Sequence, residues 1–351
     1  MYWQSTFGKI EIEETVLRLF GQTFRPFSAT SQVKCRSYSY HLQRAIVDFG
    51  ADVSFRQAKK KLQEHYRIEV GESAIQAIVE NHAKNSLEYI EKDCIADGFA
   101  QLIIAQMDGS LVPVVDTWMS EDSKDNRKHK TVRWQEARLC FARDVTQLTP
   151  FFYATMQSVD KAGDLLYRAA KRAGFGPKTQ VHGLGDGAKW IEIQMKLKFQ
   201  NQVKYLIDFY HISEYLSEAA NHSWHSEKKQ WLKEKQKLLK ENKHEKVLEL
   251  IRVRLPIDWD LKQTEEYNPV EKCYKYIFNR QSSLDYKGAL EKGLPIGTGE
   301  VESGHRYIIQ KRLKIAGAWW RPSTANHMLA LRSLRANQDW NTYWQWQQLA
   351  A

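Results

Sequence analysis

The chain has 351 residues, 42% of them hydrophobic, a formal net charge of +10 and a sequence pI ≈ 9.2. That length suits two or three domains, and the apolar content can fill a sizeable core, which excludes an intrinsically disordered polypeptide. The excess of Lys and Arg points to an acidic partner, either nucleic acid or an anionic membrane surface.

No stretch is long and apolar enough to span a bilayer. The start, MYWQSTFGKIEIEE, lacks the charged head and apolar run of a signal peptide. It opens abruptly on a strand-like segment, so a missing upstream part is expected. Residues 7–20 alternate apolar and polar in part, as in a hairpin or short strands. Residues 38–49 read as a helix. Ser54 is followed three residues later by Gln57, and Ser73 by Gln76, the spacing of two capping boxes. Phe55, Ala58 and Leu62 line one face of the first capped helix, and Ile75, Ile78 and Val79 a face of the second. Two such helices joined by a turn holding Gly71 fit a helix-turn-helix. The plainer reading is an αα-hairpin packed on the core; the charge favours DNA binding.

Beyond about residue 93 the pattern changes. QLIIAQMDGSLVPVVDTW reads as a strand, a turn at Asp108-Gly109 and a second strand, and ARLCFARDV as a third. AGDLLYRAAKRAGF is an amphipathic helix with Leu165, Leu166, Ala169 and Ala173 near one face. TQVHGLGDGA is a fourth strand ending at Gly185-Asp186-Gly187. After another helix, VKYLIDFYHI is a fifth strand leading into a helix. Three strands, then helix, strand, helix, strand, is the order of an RNase H-like α/β domain, by pattern and analogy. Residues 214–293 read as mostly helical, with Trp224, Trp231 and Trp259. Within them SEKKQWLKEKQKLLKENK carries seven lysines and three glutamates, either a solvated face or a surface that touches DNA. The four cysteines, Cys35, Cys94, Cys140 and Cys273, form no CxxC pair and read as free thiols in a reducing cytosol. His222 and His225 have no cysteine partner, which weighs against a zinc site.

Asp108 and Asp186 each follow an apolar run, flanked by glycines 109, 185 and 187 that permit tight turns and close approach. In an open α/β sheet, ligands gather beyond the carboxyl ends of strands. Displacement at a phosphodiester phosphorus is served by divalent ions, and Mg²⁺ wants carboxylate oxygens brought together from separate elements. The third carboxylate would come from LPIGTGEVES. Glu300 and Glu302 flank an apolar face set by Val301, Ile308 and Leu313, and their spacing does not choose between them. From Gly304 to Arg335 there are seven Lys or Arg and no Asp or Glu. A helix that starts at the acids and continues with Arg306, Lys311, Arg312 and Lys314, ending at Gly317, can follow a phosphate backbone away from the site.

Read together and in order, LQRAIVDFGADVSF, MDG, GLGDGAKWI, DFYHISEYL, LPIGTGEVES, RLKIAGAWW and MLALRSLRANQDWNTYW resemble a bacterial insertion-sequence DDE transposase of the Kra type, within the wider Mutator-like group. The resemblance covers nearly the whole chain. It implies a metal triad of Asp108, Asp186 and Glu302, the last followed by Ser303, holding Mg²⁺ or Mn²⁺, with two ions expected. Gly299 stands where some Mutator-like relatives have asparagine, so Glu300 stays in reserve. Related families carry a Cys/Asp-x-x-His motif; Asp208-Phe-Tyr-His211 fits it and gives His211 a catalytic role. The fold implied is α/β: an RNase H-like mixed sheet with an all-α insertion, preceded by a helix-turn-helix DNA-binding region.

The expected organisation is a β-rich segment at 1–37, the helical region at 38–93, the catalytic core at 94–213, the insertion at 214–293 and C-terminal core helices at 294–351. The activity implied is metal-dependent cleavage at element ends and strand transfer into target DNA. Terminal inverted repeats and target DNA are the partners, in a homodimer or higher oligomer, with no membrane, in the bacterial cytoplasm beside the nucleoid. The rivals are another RNase H-like nuclease and a non-catalytic DNA-binding protein derived from a transposase.

Overall fold

The computed structural model describes residues 1–31, 37–92, 99–119, 128–224, 227–255, 259 and 268–350. Cys35, Cys94 and His225 lie outside these residues. The chain opens with two antiparallel hairpins, β1 (Tyr2–Ser5) with β2 (Gly8–Glu11) and β3 (Leu17–Leu19) with β4 (Gln22–Phe24), then a short helix α1 (Pro26–Ser31). Helices α2 (Tyr40–Asp52), α3 (Phe55–Tyr66) and α4 (Glu72–Glu91) follow. Ser54 and Gln57 form the capping box expected of α3, each satisfying an amide that the helix start leaves unpaired. The second box does not form. Burial of Ile75 and Val79 sets the register of α4, which starts at Glu72 with Gly71 as N-cap, so Ser73 falls inside the first turn.

The sheet is built from β5 (Leu102–Met119), β6 (Lys128–Asp144), β7 (Phe151–Thr155), β8 (Gln180–Gly185) and β9 (Val203–Ile207). Helix α5 (Val159–Arg172) joins β7 to β8, and α6 (Lys189–Phe199) joins β8 to β9. The order is β7-β6-β5-β8-β9; the first three strands are antiparallel neighbours, and β5, β8 and β9 run parallel. The chain is thus a mixed α/β fold around a five-stranded mixed sheet. The succession of three strands, helix, strand, helix, strand is present, but two strands differ from expectation. There is no turn at Asp108-Gly109, because pairing with β6 runs unbroken from Ile103↔Asp144 to Met119↔Lys128. ARLCFARDV is only the second half of β6, and the third strand is β7, from the aromatic run FFYAT.

Helices α5 and α6 cover one face: the Cys140 thiol donates to the Ala162 carbonyl, and Gly183 lies under Met195. After β9 the chain enters α7 (Phe209–Ser223), α8 (Lys228–Lys240), α9 (His244–Arg252), α10 (Pro269–Phe278) and α11 (Tyr286–Glu291). It then crosses the opposite face as α12 (Gly299–Gly304), a π-helical segment (His305–Gln310) and α13 (Lys311–Leu313), followed by α14 (Pro322–Ala336) and α15 (Trp340–Ala350). The basic helix therefore stops at Leu313 rather than at Gly317. Gly317, at φ +75°, sits in the turn leading to Trp320, whose carbonyl accepts from the Val115 amide on β5. Helix α14 covers the edge strand, since Asn337, Ser333 and Asn326 accept from the amides of Phe152, Ala154 and Met156. An edge whose amides are bonded in this way cannot template another strand. Among the described residues no helix is long and apolar enough to cross a membrane.

Candidate active site

Asp108 lies in mid-strand on β5, at the centre of the sheet, and Asp186 is the first residue beyond the end of β8. β5 and β8 pair in parallel up to Gln106↔Leu184; carried on by two residues, that register sets Asp108 abreast of Asp186. Neighbouring strands lie about 4.8 Å apart, so the two carboxylates belong to adjacent rows on one face. One oxygen of Asp108 accepts its neighbour's amide, Gly109 N, at 2.7 Å. Gly109 makes no turn; a Cβ there would come within 2.2 Å of the Glu136 carboxylate, so the glycine makes room for that side chain. Asp186 accepts from the Ala188 amide at 2.8 Å, and its carbonyl accepts from the Tyr276 hydroxyl of α10, which burial keeps protonated. Gly187 does take the turn, at φ +87°.

The helix carrying Glu300 and Glu302 runs over β5. Gly304 allows the close approach, as a Cβ there would lie 2.7 Å from the Phe152 ring and 2.8 Å from Leu139. Val301 is fully buried, and its amide donates to Gln106 of β5 at 2.9 Å, so Val301 faces the sheet. Successive residues of an α-helix are rotated by about 100°, so Glu300 and Glu302 leave on opposite flanks. Glu300 goes toward β6, where Arg143 donates to it at 2.6 Å, and Gln106 of β5 donates to it at 3.2 Å. Glu302 leaves on the other flank, the β8 side that holds Asp186. It is 64% exposed and its only described ion pair is with Arg306, at 3.0 Å. One turn on, His305 points down at Asp108. Its Nε2 lies 3.0 Å from Asp108 Oδ2, out of line for a hydrogen bond, and both ring nitrogens are buried without a bonded partner. The sequence reading missed His305; its signal was a histidine one turn after the favoured glutamate. Among the described residues, no three His, Cys, Asp or Glu side chains converge closely enough to hold a metal ion.

The Asp208-x-x-His211 motif separates into two roles. Asp208 is buried and caps α7, one oxygen accepting from the Tyr210 and His211 amides at 2.6 and 3.0 Å. Its other oxygen accepts from the Thr298 amide at 2.6 Å and from the Thr298 hydroxyl. Asp208 therefore ties the end of the sheet to the N-terminus of the glutamate-bearing helix. Asp208→Ala is expected to cost about 2 kcal/mol or more, the loss of a cap plus unpaired buried amides. It should also raise hydrogen exchange at 298–304; protection there equal to wild type would show that the tie does not hold α12. His211 touches neither aspartate. It packs edge-on against Tyr215 and Tyr276 and lies 3.4 Å from Glu214, one aromatic ring away from Asp186.

The four basic residues also divide. Arg306 and Lys311 are exposed, and Lys314 is exposed with its ammonium 2.8 Å from Ser110, two residues along β5 from Asp108. Arg312 is 2% exposed. It donates to the Gly50 carbonyl at 3.0 Å and lies between the Phe55 and Trp320 rings, and burial pushes its guanidinium down to about 10. It ties the helix to α2 and is not offered to a phosphate. Of the helix pair near 54–84, α4 turns Ile75, Val79, His82, Ala83, Ser86 and Ile90 inward, while Arg56, Lys59, Lys60 and Lys61 lie along α3.

No protein-family model and no curated protein matches the chain. Among solved structures, the chain is similar to the Drosophila P element transposase strand transfer complex at 10% identity and a TM-score of 0.31, over 91% of this chain and 83% of that chain. At that level the likeness carries no argument, and the functional reading rests on the geometry of the site.

Proposed function

We propose that the chain is a DDE transposase with an RNase H-like catalytic core, of the insertion-sequence type that its motifs resemble. The observation that carries this reading is Asp108 on the central strand β5 and Asp186 just past the end of the neighbouring parallel strand β8, with Glu302 on the flank of the overlying helix that faces away from β6. The donors are all carboxylate oxygens, the set that Mg²⁺ and Mn²⁺ prefer, and the buried imidazole of His305 stands 3.0 Å from Asp108. Asp108, Asp186 and Glu302 would hold the metal; the side chains stand as neighbours and would have to draw together on binding. Ions bound there supply stabilisation of the attacking and leaving oxygens of an in-line displacement.

The chain's own residues do the rest. Lys314 and Lys311 place DNA phosphates along β5 and α13. Arg306 gives Glu302 a counter-charge until DNA arrives. Asp208, through Thr298, sets the helix that carries Glu302. Water opens the phosphodiester at an element end, and the freed 3′-OH then attacks target DNA. The basic row of α3 binds terminal repeats, with α4 as its support, and two ends imply a dimer or higher oligomer.

The test uses purified full-length protein, Mg²⁺ or Mn²⁺, and a labelled duplex carrying the element end. Metal-dependent cleavage with joining to a second duplex supports the reading. Cleavage without joining favours another nuclease, and binding alone favours a DNA-binding derivative. Lys311→Gln with Lys314→Gln is expected to lower the slope of log K against log salt by about 2, at roughly 0.9 per phosphate contact. A slope equal to wild type would remove both lysines from the DNA path.

A further inference from the structure

One buried polar side chain beside the acids takes no part in the reaction proposed above. His305 opens the π segment and is 3% exposed, with Nε2 3.0 Å from Asp108 Oδ2. Neither ring nitrogen makes a hydrogen bond. A protonated imidazole paired with a carboxylate donates along its N–H, and here the carboxylate lies off that line. The distance fits a different relation. Two donors about 2.1 Å from one octahedral ion, at right angles to each other, stand about 3.0 Å apart. Asp108 Oδ2 and His305 Nε2 therefore have the spacing of adjacent ligands on one ion. Both are held in place. The other oxygen of Asp108 accepts from Gly109 N at 2.7 Å, which sets the turn of the carboxylate. The backbone on either side of His305 is tied as well: the Val301 amide donates to Gln106, and the Tyr307 and Ile308 carbonyls accept from Arg332. No bond commits either ring nitrogen to carrying the proton, so Nε2 can present its lone pair. Glu302 stands three residues earlier, a neighbour on the helix surface.

We infer that His305 is a further metal ligand, its Nε2 joining Asp108 on one divalent ion, and that this nitrogen turns the position from Mg²⁺ toward Mn²⁺. The inference rests on the proposed function and deepens it, naming a fourth side chain of the metal site and the ion it favours. Mg²⁺ takes oxygen ligands, whereas an imidazole nitrogen suits first-row transition ions. Among the described residues no three such side chains converge closely enough by themselves. Asp108 and His305 are then the part of the site already assembled, and Asp186 and Glu302 complete it. A protonated His305 acting only as a charge partner would do the reverse. Its positive charge would oppose the ion, and removing it would tighten metal binding.

The test uses the full-length chain and sub-stoichiometric Mn²⁺, whose unpaired electrons report a directly bonded nitrogen as modulation of the electron spin echo. Wild type should show the modulation of a bonded imidazole, and it should vanish in His305→Gln and in Asp108→Asn. By titration calorimetry, His305→Gln should weaken Mn²⁺ binding by on the order of tenfold, a loss that even outer partners of a metal site cause. Mg²⁺ binding should weaken much less. Absence of nitrogen coupling in wild type would overturn the inference, whether or not either variant folds. Coupling that persists in either variant would overturn it too, by placing the nitrogen on another histidine or the ion away from Asp108. So would Mn²⁺ binding that is unchanged or tighter in His305→Gln, the result for a charge partner, and equal losses for the two ions, the mark of a side chain that only holds Asp108 in place. The two readings fail separately. Wild type that never cleaves an element end, yet shows coupling lost in both variants, removes the transposase reading and keeps the ligand. Cleavage by a wild type without nitrogen coupling does the opposite.

Discussion

Asp186→Asn is expected to lower metal-dependent DNA cleavage by on the order of 10³-fold, a loss typical of removing a group that acts only on developing charge, while leaving the fold and DNA binding intact. The substitution keeps size and shape. The amide oxygen can still accept from Ala188, and Tyr276 bonds to the main-chain carbonyl, which is untouched. What is lost is the negative charge beside Asp108, so DNA affinity should stay level or rise.

The pair of glutamates then gives a second discrimination. Glu302→Gln should fall with Asp186→Asn, because its carboxylate leaves the helix on the Asp186 flank. Glu300→Gln should keep most of its cleavage and lose on the order of 1 kcal/mol of stability, since Glu300 is a half-buried partner of Arg143. The reverse pattern would move the third ligand to Glu300 and overturn the argument from helix rotation. Single-turnover cleavage, with binding measured in parallel, separates these outcomes.

How much of this site was readable in the sequence depends on whether the deciding interaction is local. Asp186 was legible because the apolar run before it ends in Gly-Asp-Gly, and the turn is made by those residues themselves. Asp108 was misplaced because Gly109 reads as a break in a single strand, whereas its neighbour β6 bridges the interruption. The choice between Glu300 and Glu302 was open because two positions on one helix differ only by what lies on either flank, and Arg143 is far away in the chain. Arg312 is the instructive case. It stands among Arg306, Lys311 and Lys314 and looks equivalent, yet it is buried. The buried pairs 304/305, 308/309 and 312/313 recur every four residues. A helix of 3.6 residues per turn would carry such pairs out of line, and the wider turns of the π segment keep them on the buried side. The interval of four was present in the sequence as Gly-His, Ile-Ile and Arg-Leu, but it does not fit the α-helical template against which the passage was read.

One side chain of α14 bonds two carbonyls of that π segment, and Arg332→Met is accordingly expected to be among the most damaging substitutions outside the acidic residues. Arg332, on α14, is 2% exposed. Its guanidinium donates to the carbonyls of Tyr307 and Ile308 within the π segment, to the Ala51 carbonyl at the end of α2, and to Asp52 at 2.9 Å. Methionine fills much of the volume and supplies none of these bonds, leaving buried carbonyls unpaired and the Asp52 charge to Arg335 alone. Breaking a buried pair from one side costs about 3–5 kcal/mol, which should appear as a clear drop in the thermal midpoint. A functional consequence follows if the chain still folds. Conversion of the π segment to α-helix rotates α12 by about 100° relative to α13, one residue's worth. Glu302 would leave the Asp186 flank, and cleavage would fall although every carboxylate is present. Arg332→Lys keeps a charge for Asp52 but cannot reach two carbonyls of the segment at once, so it should recover part of the stability and less of the activity. A midpoint unchanged in Arg332→Met would mean that the π segment is held by its packing on the sheet, and Glu302 would then be positioned by Gly304, Val301 and Asp208 without help from α14.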